Sequence, residues 1–130
     1  MKEPKVLDSY ALLAYLKKED EYEKVKGILS SGGALFMNEV NLGETFYILA
    51  KERGIEKAEY FVTTVLPSLP ITQEGNTFQD ILGAARIKAT HSLSYADCFA
   101  IHTAIKEGAT LVTGDPEFKK AEKIVKIDWL

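Results

Sequence analysis

Four acidic residues stand where a carboxylate is hard to keep. Asp8 directly follows the apolar run Lys5-Val6-Leu7, and Asp115 closes Leu111-Val112-Thr113-Gly114-Asp115, so both fall at the carboxyl ends of expected strands. Asp97, in Ser94-Tyr95-Ala96-Asp97, has Ala100, Ile101, Ala104 and Ile105 three, four, seven and eight residues further on, which places it on the core-facing stripe of a helix. Glu44 interrupts a mainly apolar face in the same way, with Val40 and Gly43 before it and Tyr47 and Ile48 after it. An ionised carboxylate taken out of water is costly unless it is paired, hydrogen-bonded, metal-bound or protonated. No Lys or Arg is close in sequence to Glu44 or Asp97 on the same face. A divalent cation is the economical partner, and an all-oxygen donor set suits Mg²⁺ or Mn²⁺ better than zinc.

Plainer roles stand beside that chemistry. Asp8 or Ser9 would cap a helix, and Asp115 before Pro116 is a good N-cap. Ser94 and Asp97 have capping-box spacing, and Asn41 is placed for a capping-type pair with Glu44. Cys98 and His102 are four apart on one helix, but two ligands make no zinc site and a packed Cys is commoner.

The elements that must position these residues alternate in type. Lys5-Val6-Leu7 reads as a strand, followed by a helix with Tyr10, Leu13, Ala14 and Leu16 at helical spacing. Lys17 to Lys26 is a second helix with a solvated charged face and Tyr22 and Val25 inward; Gly32-Gly33 breaks it before the strand Ala34-Leu35-Phe36-Met37. Asn38 caps a long helix to about Arg53, stopped by Gly54, and Glu56 to Leu66 is a further helix. Pro67 and Pro70 fence an edge strand around Leu69-Ile71. Helices are expected from about Gln73 to His91 and from Ser94 to Glu107, then a strand over Ala109–Thr113, a short helix opened by Asp115-Pro116, and a last strand at Ile124-Val125-Lys126-Ile127. Strands separated by helices imply a parallel sheet covered on both faces, a three-layer α/β/α domain. Ligands of such sheets bind beyond the carboxyl ends of strands, where the winding reverses.

With 130 residues, 46% hydrophobic and 27% charged, the composition is that of one globular domain over residues 1–130. Sixteen Lys and Arg against 19 Asp and Glu, net −3, argue against gripping nucleic acid by overall charge, although Lys119, Lys120, Lys123, Arg53, Arg86 and Lys88 could build a local groove-lining patch. The lone Cys98 excludes an internal disulfide and four-Cys zinc sites. The start Met1-Lys2-Glu3-Pro4-Lys5 has no signal-peptide core and no window approaches a membrane span, so a cytoplasmic protein without membrane attachment is expected.

In order and spacing, Val6-Leu7-Asp8-Ser9, Asn41-Leu42-Gly43-Glu44, Ser94-Tyr95-Ala96-Asp97 and Leu111-Val112-Thr113-Gly114-Asp115-Pro116-Glu117-Phe118 resemble the PIN-domain ribonucleases, most closely the small VapC-like toxins of toxin-antitoxin pairs. The resemblance covers essentially the whole chain. It implies a five-stranded parallel sheet in order 3-2-1-4-5, with Asp8 and Asp115 facing each other. It further implies that Asp8, Glu44, Asp97 and Asp115 hold Mg²⁺ or Mn²⁺, supported by the hydroxyl of Thr113. The implied activity is endonucleolytic hydrolysis of RNA, in a homodimer restrained by an antitoxin protein. A ribosomal-RNA-processing nuclease and a non-catalytic domain of the same fold are the alternatives. A phospho-receiver domain would need adjacent acids after the first strand, where this sequence has Asp8-Ser9.

Overall fold

The computed structural model describes residues 2–130. Five short strands form one parallel sheet: β1 (Lys5–Leu7), β2 (Leu35–Asn38), β3 (Thr72–Glu74), β4 (Thr110–Thr113) and β5 (Ile127–Trp129). Their order is β3-β2-β1-β4-β5, as the resemblance implied. β1 is central, with Lys5 opposite both Leu35 and Thr110. The residue after β1 therefore emerges beside the end of β4, at the point where the winding reverses.

Two-residue alternation divides the apolar side chains between the faces. Leu7, Met37 and Val112 join Leu12, Val25, Leu42 and Phe61 on one side, while Val6 and Leu111 join Ala84, Phe99, Ile101 and Phe118 on the other. The first side is covered by α1 (Ser9–Leu16), α2 (Tyr22–Leu29), α3 (Glu39–Arg53) and α4 (Ile55–Tyr60); the second is covered by α6 (Phe78–Thr90) and α7 (Tyr95–Glu107). Each completely buried Leu or Ile contributes about 1.5–3 kcal/mol, so these two clusters hold the helices on the sheet.

Capping fixes where the helices begin. The Asn38 side chain accepts from the Val40 amide at 2.9 Å and starts α3, and Ser94 Oγ accepts from the Asp97 amide at 3.1 Å and starts α7. Thr77 and Asp80 satisfy each other's backbone in a full capping box at the head of α6. Gly108, at φ 60°, turns the chain left-handed after α7, a conformation that favours glycine.

Several expected boundaries move. The edge strand forms at Thr72–Glu74 instead of Leu69-Ile71, because Pro70 has no N–H for the ladder and pairing with Phe36–Asn38 begins after it. The helix expected from Gln73 accordingly starts at Phe78. The last strand is Ile127–Trp129 instead of Ile124–Ile127, since the chain leaves a 3₁₀ turn (Pro116–Ala121) with the Val125 amide still bonded to Ala121 O and its side chain buried in the core. Lys17–Glu21 is a turn, with Lys18 at φ 53°, and the second helix runs later than expected. The helix expected over Glu56–Leu66 is continuous in space but passes through a π-helical stretch at Phe61–Val65 before α5 (Leu66–Ser68).

Candidate functional site

Asp8 ends β1 and caps α1. Its Oδ1 accepts from the Ala11 amide at 2.8 Å, and its Oδ2 accepts from Thr113 Oγ1 at 2.5 Å. Thr113, fully buried, also accepts the Asp115 amide at 3.0 Å, so one hydroxyl links the acids at the ends of β1 and β4. Asp115 in turn caps the 3₁₀ turn through the Glu117 amide. The capping roles of Asp8 and Asp115 are thus real, and they coexist with the cleft position: a cap uses one lone pair of a carboxylate that has about four.

Glu44 comes from the second turn of α3 and is anchored by Ser9, whose Oγ donates to Glu44 Oε1 at 2.6 Å. Asn41 is not its partner; the Asn41 amide group donates instead to the Ala96 carbonyl of α7 at 2.9 Å. Asp97 sits in the first turn of α7. Its stripe is less uniform than the sequence suggests, because Ile105 is exposed while Ala100, Ile101 and Ala104 are buried.

Asp8, Glu44, Asp97 and Asp115 line one open cleft of about 380 Å³, together with Ser9, Tyr10, Ser94 and a fifth acid, Glu117. In the sequence Ser9 reads as a cap and Glu117 only as part of a motif, neither as a site residue. Glu117 lies two residues past Asp115 on an exposed turn with no apolar pattern around it, whereas the adjacency of Ser9 to Asp8 was a usable signal. Among the described residues, no Lys, Arg or His lines this cleft. Of the expected basic patch, Lys120 is engaged with Glu117 at 3.1 Å and the Ser92 carbonyl, and Lys88 with the Leu93 carbonyl. His102 does not meet Cys98: its Nε2 lies 3.0 Å from Asp80 Oδ1, and Cys98 is buried in the core.

The electrostatic consequence is visible in the carboxyls. Burial pushes Asp8 up to about 7, against the stabilising bonds from Thr113 and Ala11 and with help from the charges of Asp97 and Asp115. Burial also raises Asp97 to about 6, opposed by Ser94 and reinforced by Glu44, Asp115 and Glu117. Such mutual repulsion in a cleft without a basic residue is what a cation would relieve. Among the described residues, no three His, Cys, Asp or Glu groups stand close enough together to enclose an ion as they lie. Repelling carboxylates each held by a donor of their own adopt that spread arrangement. By chemistry the donor set, all oxygen and strongly anionic, is of the kind that hard divalent ions take.

The family model described as PIN domain matches residues 5–124. The chain belongs to the PIN domain family. Its fold is similar to that of VapC20 from Mycobacterium tuberculosis, described as a sarcin-ricin loop cleaving toxin, with TM-score 0.76 at 18% identity over 90% of this chain and 94% of that one. VapBC2 from Rickettsia felis, solved on a fragment of its promoter DNA, aligns with TM-score 0.75 at 17% identity over 98% of both chains. A toxin-antitoxin complex from Klebsiella pneumoniae gives 0.65 at 14% identity, covering 92% and 91%. Among curated proteins, none matches the sequence. No helix among the described residues is long and apolar enough to cross a membrane.

Proposed function

We propose that this PIN domain is a divalent-metal-dependent endoribonuclease of the VapC-like toxin type, a single domain in which Asp8, Glu44, Asp97 and Asp115 hold Mg²⁺ or Mn²⁺. The observation that carries the proposal is the cleft at the ends of β1 and β4, lined by five acids and by no basic residue among those described. A bound ion supplies an activated water and positive charge at a phosphodiester. The chain's own groups supply position. Thr113 holds the Asp8 carboxylate in place and orients the Asp115 backbone, Ser9 aims Glu44, and Ser94 fixes the turn that presents Asp97. Without the ion the cleft repels a phosphate; with it, the cleft attracts one.

The toxin reading is supported by the VapC and VapBC folds and by the toxin-antitoxin complex among the similar structures. An antitoxin partner that brings a cationic side chain to the acids, a homodimer and a cytoplasmic location go with it. The test is cleavage of a fluorogenic single-stranded RNA by the wild type with Mn²⁺, with Mg²⁺ and with chelator, beside Asp97→Asn. Cleavage that requires metal and disappears in the variant is expected. Intact RNA under all conditions, together with no Mn²⁺ uptake by calorimetry, would leave a non-catalytic interaction domain as the reading.

A further inference from the structure

Asn41 is a polar side chain only 1% exposed, and its Oδ1 has no hydrogen-bond partner among the described residues. Burying an amide is costly unless its polar atoms are bonded, so what the Asn41 side chain does bond to is the clue to its place. A leucine of similar size would avoid the unmet acceptor. The other end of the amide is committed: Nδ2 donates to the Ala96 carbonyl at 2.9 Å. Reversing the amide would aim Oδ1 at that carbonyl oxygen, so the orientation is fixed and the unmet acceptor is its consequence.

The bond joins two particular turns. Asn41 lies three residues, about one helical turn, before Glu44 on α3, and Ala96 immediately precedes Asp97 on α7. Apolar contact between two helices is non-directional, whereas a hydrogen bond has a preferred distance and angle and so ties one turn to one turn. We propose that Asn41 is a positioning residue that sets the separation of Glu44 and Asp97, tying together the two helices that carry these mutually repelling acids. The inference rests on the metal reading above and adds the group that enforces its geometry.

The experiment compares wild type, Asn41→Leu and Leu49→Ala. Leu49 is a buried α3 residue whose truncation loosens the core without touching the Asn41 bond. Mn²⁺ affinity is measured by calorimetry, and amide hydrogen exchange is followed at Cys98, whose N–H closes the first turn of α7 on the Ser94 carbonyl. The expected result is a Mn²⁺ affinity about 10- to 100-fold weaker in Asn41→Leu, with faster exchange at Cys98 in metal-free protein and an undiminished thermal midpoint. Leu49→Ala should lower the midpoint and keep the affinity. Unchanged affinity and exchange in Asn41→Leu would overturn the positioning role while leaving the metal reading intact, and so would equal losses of affinity in both variants. A wild type that takes up no Mn²⁺ would overturn the metal reading itself, and with it the separation Asn41 is said to serve.

Discussion

Replacing Asp8 by Asn should make the metal-free protein more stable at neutral pH while destroying its affinity for metal. Asp8 is only 3% exposed, and burial lifts its carboxyl from 3.8 to about 7. A group whose folded pKa is raised stabilises the fold below its unfolded pKa, and that contribution is lost as pH rises toward the folded value. For Asp8 the window runs from about pH 4 to about pH 7, and a shift near three units corresponds to about 4 kcal/mol. Asparagine keeps an acceptor for the Ala11 amide but cannot take the Thr113 hydroxyl proton at the Oδ2 position, which gives back about 1 kcal/mol. The net expectation in chelator at pH 8 is therefore a gain of about 2–3 kcal/mol, a large fraction of a typical domain's stability. Urea denaturation at pH 5 and pH 8 measures it. Wild type should lose stability between the two, and the variant should lose less, its residual slope coming from Asp97 and from Glu74, which burial and Glu107 raise to about 7. Added Mn²⁺ should raise the wild-type midpoint alone. A variant less stable than wild type at pH 8 in chelator would show that the Asp8 charge is not a burden on the apo fold.

Thr113→Val keeps the volume but removes the donor to Asp8 and the acceptor for the Asp115 amide, so Mn²⁺ affinity measured by calorimetry should fall about 10- to 100-fold, with Thr113→Ser close to wild type. Gly114→Ala would place a Cβ 2.3 Å from the Tyr10 ring, forcing Tyr10 off its bond to Glu21; a loss of about 1–3 kcal/mol is expected from overpacking, read by denaturation midpoint. The bond from His102, with those from Thr77, holds the Asp80 carboxyl well below the usual carboxylate range. Its contribution is present above the unfolded pKa and lost as pH falls toward the folded value, so Asp80→Asn should be less stable than wild type at pH 7, and the gap should begin to narrow below about pH 4, where the unfolded carboxyl protonates while the native one stays ionised; urea denaturation at the two pH values measures it.

The parts of the fold that could be read from the sequence are those where apolar period and a cap coincide. Asn38 with the pattern to Arg53, and Ser94 with Ala100, Ile101 and Ala104, gave the two helices that carry Glu44 and Asp97. The edge strands were misplaced because Thr72–Glu74 is polar and Ile127–Trp129 only half-buried, so neither shows the apolar run that marks an interior strand. Within the cleft, Asp8, Glu44, Asp97 and Asp115 were legible as candidates because each interrupts or closes an apolar pattern in the sequence, whereas Glu117, on an exposed turn, does not. Ser9 to Glu44 and Asn41 to Ala96 were not legible, since each joins segments far apart in sequence through side chains with ordinary local roles.

The central place of β1 also has a kinetic meaning. Its two neighbours, β2 and β4, lie opposite Lys5 at Leu35 and Thr110, and the second pairing spans most of the chain. Non-local parallel pairing forms slowly because the loop between partners must be closed before any contact rewards it. Asp8 acquires its Thr113 bond, and its neighbour Asp115, only when β4 docks. Before β4 is in place Asp8 has only its local cap on the Ala11 amide, and no folding intermediate that lacks β4 holds an assembled cleft.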